Sequence, residues 1–226
     1  MELLVFGYSG TSILFFPPRM GRFYDYENWR IIESLRSKIE HGQIQVFCVD
    51  SYDNESFYSN WHNPYWKTIQ HLRYEAYILT EVMPFIRSKN PGAFMVAAGC
   101  SLGAYHALNI ALRHPQLFNK VVAMSGRFDL THNIGHYHDL FNGYWDENVY
   151  YNMPLQYVPN INDGHTLAGI RKLEIVLVIG RDDVLHENNW VMHHALRQKG
   201  VPSTLHVWDR EMHRAKGWRQ MVQIYL

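Results

Sequence analysis

Several things are scarce in this sequence. Among 226 residues there are only two cysteines, Cys48 and Cys100. A disulfide framework needs more of them in a smaller chain. Both therefore read as reduced thiols, a usage that favours the cytoplasm. Neither sign of charge is in excess, because 21 basic residues balance 21 acidic ones. No basic stripe recurs, which argues against a nucleic-acid partner. Long apolar runs are missing as well. The opening stretch MELLVFGYSG has an acidic second residue and no basic flank. It is too short for a signal peptide or a membrane span, so no membrane partner is expected. Internal repeats and low-complexity linkers are also absent, and residues 1–226 read as a single domain.

What is present is a globular composition, with 47% hydrophobic and 19% charged residues. A chain of this length buries a sizeable core. Apolar runs alternate with helical periodicities. Glu2 to Tyr8 and Ile13 to Phe16 read as strands joined by the turn cluster Ser9–Ser12, and are expected to pair as a hairpin. A helix is predicted over Trp29 to Glu40, with Ile31, Ile32, Leu35 and Ile39 on one face. The run Gln43 to Asp50 is a buried strand. Asn63-Pro64 is a helix start, with Asn as cap and Pro in the first turn. That helix should run to about Ser88 with a kink or early end at Pro84. Strands follow at Ala93–Ala98, Lys120–Gly126, Leu173–Ile179 and Ser203–Trp208. Helices fall at Leu102–Arg113, Asn188–Lys199 and from Lys216 onward. Residues 127–169 show no periodicity and read as an irregular, cap-like insertion. The order predicts an α/β fold with a mostly parallel central sheet and helices on both faces. In such sheets the site lies at the carboxyl ends of the strands.

One such end carries Gly99-Cys100-Ser101-Leu102-Gly103. This fits G-x-S-x-G between a strand and a helix, the nucleophile-elbow context. Glycines let strand and helix approach closely, and the sharp turn lifts the Ser101 hydroxyl off the sheet toward the free N–H groups of the helix start. Cys100 is the middle residue of the motif, and its side chain should point into the core. A serine hydroxyl needs a base, and the base needs an orienting acid. Strand ends further along offer Asp182-Asp183 and, after the last strand, His213. The acid is one of the two aspartates, with Asp183 favoured because Asp182 lies closer to the strand end. Two N–H donors are needed for an oxyanion. Leu102 should provide one. The loop after the second strand should provide the other through Arg19 or Met20, with Met20 favoured, since Pro17 and Pro18 have no N–H.

These stretches resemble the esterase family of the α/β-hydrolase superfamily, a group that includes S-formylglutathione hydrolases, feruloyl and acetyl-xylan esterases and mycolyltransferases. The likeness is greater still to a compact bacterial branch of esterase-like proteins. The matching segments are FPPRMGRFYDYEN, QVFCVDSYDNESFY, RYEAYILTEVMPFI, GCSLGAYHALNIALRHPQLF, AMSGRFDL and GRDDVLHENN. The resemblance implies an α/β-hydrolase fold and a triad of Ser101, Asp183 and His213. Where the family often carries His-Asp-Trp, this chain has His213-Arg214-Ala215-Lys216-Gly217-Trp218, so the packing around the histidine should differ.

Other features compete for attention. His132, His136 and His138 lie close together beside Asp139, but the spacing matches no zinc motif, and a polar loop near the cleft is the better reading. His193-His194 should be at the surface. Trp61, Tyr65, Tyr144 and Trp145 are candidates for the rim of a binding cleft. Asp50-Ser51 is placed to shape a pocket, and Asp53 to Tyr58 reads as an exposed loop. The expectation is a serine carboxylesterase that hydrolyses a small-molecule ester through an acyl-enzyme, with no metal or organic cofactor. An acyltransferase with the same triad, or a non-catalytic binding protein of this fold, are the alternatives. An exposed first strand at the sheet edge would offer a surface for a homo-oligomer.

Overall fold

The alternating pattern becomes one seven-stranded sheet in the computed structural model, which describes residues 1–226. Its strands are β1 (Leu3–Phe6), β2 (Thr11–Phe16), β3 (Ile44–Val49), β4 (Met95–Cys100), β5 (Lys120–Met124), β6 (Glu174–Gly180) and β7 (Ser203–Trp208). Their spatial order is β1-β3-β2-β4-β5-β6-β7. Only β1 runs antiparallel, against β3. The other neighbours are parallel. The expected hairpin therefore does not form, because β3 lies between β1 and β2. Burial explains the order. The β3 segment IQVFCV is buried at every position and needs cover on both faces, whereas the β1 segment LLVF is half-exposed and takes the edge.

Alternation along β2 shows how the two faces are filled. Leu14 and Phe16 join one core with α4 (Pro64–Tyr77), α5 (Met83–Lys89), α6 (Leu102–Arg113) and α10 (His186–Gln198). Ile13 and Phe15 join another, under α2 (Ile31–Ser34) and α11 (Ala215–Tyr225). The predicted helix over 29–40 is in fact two short pieces, α2 and α3 (Arg36–Glu40), preceded by a separate turn of helix, α1 (Asp25–Asn28). Arg30 adopts a left-handed φ of 58° and breaks the run. The Trp29 carbonyl, left outside any helix, accepts from Arg219 Nη1 of α11 at 3.0 Å. Ile31, Ile32 and Leu35 are buried as expected.

The long second helix starts at Pro64, with the Asn63 side chain accepting the Trp66 N–H at 3.0 Å. It does not end at Pro84. A π-helical turn at Ile78–Val82 leads directly into α5. The wider turn just upstream absorbs the carbonyl that proline cannot pair. Residues 127–169 contain α7 (Glu147–Tyr150), α8 (Pro154–Tyr157) and all but the last residue of α9 (Gly164–Ile170), joined by turns. Their apolar residues Leu130, Phe141, Val149 and Met153 form a third cluster with Phe57, Leu102 and Tyr105, next to the start of α6. The loop from Asp53 to Tyr58 is not the exposed segment expected. Asp53, Ser56 and Phe57 are buried in it, because Phe57 plugs this cluster. No helix is long and apolar enough to cross a membrane.

Candidate active site

Ser101 sits between the end of β4 and the first turn of α6, at φ 56° and ψ −118°. A non-glycine residue held there costs on the order of 1–3 kcal/mol and needs neighbours that enforce it. Close packing supplies them. A side chain on Gly99 would collide with the backbone of Gly103, and one on Gly103 would collide with the Phe16 carbonyl at the end of β2. The Ser101 N–H is pinned by the Met124 carbonyl at 2.8 Å. Cys100 points the other way, fully buried in the second core. Burial pushes its thiol pKa far up, which suits packing and not nucleophilic attack.

The Ser101 hydroxyl lies 2.9 Å from His213 Nε2, and His213 Nδ1 lies 3.0 Å from Asp183 Oδ2. The carboxylate can only accept, so Nδ1 carries the proton and Nε2 offers its lone pair to the serine. Asp183 is buried, and its other oxygen accepts the Leu185 N–H at 2.9 Å, which fixes the carboxylate plane. Asp182 is exposed on the same turn. Gly180 at the end of β6 makes this meeting possible. A side chain there would collide with the Arg210 carbonyl, so only glycine lets the loop before His213 lie against the strand. Trp218 takes up the packing around the histidine, its ring centre 5.5 Å from the imidazole and its Nε1 donating to Ser125 Oγ at 3.3 Å.

Leu102 is the first residue of α6, and its N–H has no partner inside the helix. In the loop after β2 the expectation for Met20 needs correction. The Met20 N–H is taken by Asp53 Oδ2 at 2.6 Å, with Met20 in a left-handed conformation at φ 59°. Arg19 makes no such backbone hydrogen bond, so its N–H is the free donor in this loop.

The sequence model of the esterase family, described as "Putative esterase", matches residues 24–223. The chain belongs to the esterase family. Solved structures agree on the fold. A ferulic acid esterase superposes with a TM-score of 0.72 at 21% identity, over 96% of this chain and 84% of that one. An S-formylglutathione hydrolase from Agrobacterium tumefaciens gives a TM-score of 0.73 at 15% identity, over 98% and 86%. FphF, a fluorophosphonate-binding serine hydrolase from Staphylococcus aureus, gives 0.62 at 18% identity, over 95% and 81%. No curated protein matches significantly in sequence. Family membership places this chain among the esterases, and the superposed structures show that it shares their fold.

Three residues of this esterase-family site escaped the sequence reading. Tyr137 places its hydroxyl 3.3 Å from His213 Nε2. The histidines around it drew attention, yet His132 and His136 are exposed, and the His138 carbonyl serves Arg127. No group of three or more His, Cys, Asp or Glu side chains is arranged to share a metal ion. Asp53 is buried behind the Met20 loop, with His106 Nε2 3.7 Å from its other oxygen. Arg127, also buried, covers the Tyr137 ring at 5.6 Å. No motif marks any of the three, since each acts through tertiary contacts.

Asp50 ties down the loop after β2 by accepting from Arg22 Nε at 2.8 Å and the Phe23 N–H at 3.3 Å. Trp61 and Trp145 are exposed, and Tyr65 meets Trp66 edge to face, while Tyr144 packs on the Phe57 cluster. A cavity of about 320 Å³ opens on the base side, lined by His136, Tyr137, Asp182, Asp183, Val184, Glu211 and His213.

Proposed function

We propose that this esterase-family chain is a serine carboxylesterase that hydrolyses a small-molecule carboxylic ester through an acyl-enzyme. The observation that carries the reading is the unbroken chain Ser101 Oγ, His213 Nε2, His213 Nδ1, Asp183 Oδ2, with links of 2.9 and 3.0 Å. Ser101 attacks the ester carbonyl as His213 Nε2 takes its proton. Asp183 holds the imidazole in the required tautomer and stabilises its charged form. The tetrahedral oxyanion is held by the N–H of Leu102 and, in place of Met20, the N–H of Arg19. Collapse expels the alcohol, which takes the proton from Nε2. Water then enters, loses a proton to His213 and releases the acid, restoring Ser101. Apart from the ester and water, the steps use groups of the chain itself.

The test is labelling with a fluorophosphonate probe, the reagent class that FphF binds, on wild type, Ser101→Ala and Cys100→Ala. Labelling of wild type and Cys100→Ala, lost in Ser101→Ala, is expected. Folded wild type that fails to label, or Ser101→Ala that still labels, would overturn the proposal.

A further inference from the structure

His213 Nε2 has two oxygen neighbours, the Ser101 hydroxyl at 2.9 Å and the Tyr137 hydroxyl at 3.3 Å. A neutral imidazole with its proton on Nδ1 has a single lone pair at Nε2, and the nearer serine claims it. The Tyr137 proton is then directed to an acceptor other than Nε2, either the Ser101 oxygen beside it or, once that oxygen is acylated, an oxygen of the substrate.

The phenol is held in place from several sides. Ile134 and Tyr137 exchange two backbone hydrogen bonds of 2.9 Å. Gly135 between them is left-handed at φ 55°, with Val184 packed where a side chain would project. The Arg127 guanidinium lies over the ring, and is itself anchored by donating to the carbonyls of Asp129, His132 and His138 at 3.2, 2.7 and 2.9 Å. Burial, and after it the charge of Asp183, raises the Tyr137 pKa. The hydroxyl therefore keeps its proton across the neutral range.

Ester cleavage sets a geometric demand on this region. The proton on Nε2 passes to the leaving oxygen, so that oxygen must come within hydrogen-bond reach of Nε2. A hydroxyl fixed 3.3 Å from the same nitrogen borders that position. We infer that Tyr137 is a further catalytic residue, whose hydroxyl donates a hydrogen bond to the leaving-group oxygen as the ester C–O bond breaks. This rests on the acyl-enzyme reading above. The electrons of the breaking bond go to the leaving oxygen, His213 Nε2 gives that oxygen its proton, and Tyr137 shares its own proton without losing it. The contribution is greatest for esters of aliphatic alcohols, whose departing oxygen is strongly basic. It is least for a p-nitrophenyl ester, whose phenolate leaves as a stable anion.

The experiment compares wild type and Tyr137→Phe on the ethyl and p-nitrophenyl esters of one acid, alongside fluorophosphonate labelling of both proteins. Phenylalanine keeps the ring under Arg127, and circular dichroism and thermal unfolding check the fold. The ethyl-ester kcat/KM is expected to fall about 10- to 100-fold, the size of a hydrogen bond to developing charge. The p-nitrophenyl value should fall much less, shifting the ratio of the two by about tenfold or more. An equal loss on both esters would mark a merely structural ring, and no loss would mark a bystander. Either result overturns the inference. Fluoride leaves the probe without needing a proton, so labelling reports the Ser101–His213 pair by itself. If wild type does not label, the acyl-enzyme reading falls and this inference with it. If wild type labels and the ester ratio stays put, only this inference falls.

Discussion

Replacing Gly103 by alanine tests the link between fold and chemistry most directly. In an ordinary helix the change stabilises by about 1 kcal/mol, since alanine is the better helix former. Here the added methyl would overlap the Phe16 carbonyl and lie 2.6 Å from the Pro17 oxygen. Both are backbone atoms, so no side chain can swing aside. A carbon rests about 3.3–3.6 Å from a carbonyl oxygen, so the end of β2 and the start of α6 must part by on the order of 1 Å. Overpacking of this kind costs about 1–3 kcal/mol. Set against the helix gain, the net loss is no more than about 2 kcal/mol, a fall in Tm of at most about 8 °C for a chain of this size. Activity should suffer far more. The displaced segment leads straight into Arg19 and its donor N–H, and a 1 Å misplacement of catalytic groups costs about 100-fold. The assay is the rate of fluorophosphonate labelling measured beside thermal unfolding. Gly103→Ala that labels at the wild-type rate would refute the argument that this contact sets the oxyanion geometry.

Two further outcomes follow from buried carboxylates. Asp53→Ala removes the acceptor that holds the Met20 N–H at 2.6 Å; it should lower stability by about 1–3 kcal/mol in urea unfolding and slow labelling, because the left-handed turn beside Arg19 loses its anchor. Glu75 is buried and bonded by Arg113 and His114. Burial alone would raise its pKa, but those hydrogen bonds and the Arg113 charge prevail and lower it from 4.5 to about 2. A carboxylate with a depressed folded pKa contributes stability that is present above its unfolded pKa and lost as pH falls through the folded one. Wild type should therefore lose on the order of 3 kcal/mol between about pH 4.5 and pH 2, and Glu75→Gln should lack this component in acid-unfolding curves.

The sharp strand-to-helix turn at Ser101 was legible because its demands are local. Two glycines flank a serine between an apolar run and a helical one, and few other residues tolerate that turn. Asp183 and His213 were legible from chain order, the first following the buried β6 and the second the half-exposed last strand β7. The aspartate favoured over Asp182 is the one whose carboxylate meets the imidazole. Met20 was misjudged for a reason no spacing reveals. Its N–H is engaged by Asp53, a residue 33 positions away in a loop that reads as exposed.

The sequence by itself determined the α/β alternation, the burial of β2 through β6, and the placing of Ser101, Asp183 and His213 at strand ends, since these follow from side-chain periodicity and local turn sterics. Only the tertiary structure decided that β3 separates β1 from β2, that Arg19 keeps its N–H free while Met20 does not, and that Tyr137 reaches His213 from a stretch conspicuous for its histidines. Each of these depends on two segments distant in the chain competing for one position. Burial and hydrogen-bond partners settle that competition only once the sheet has brought the segments together.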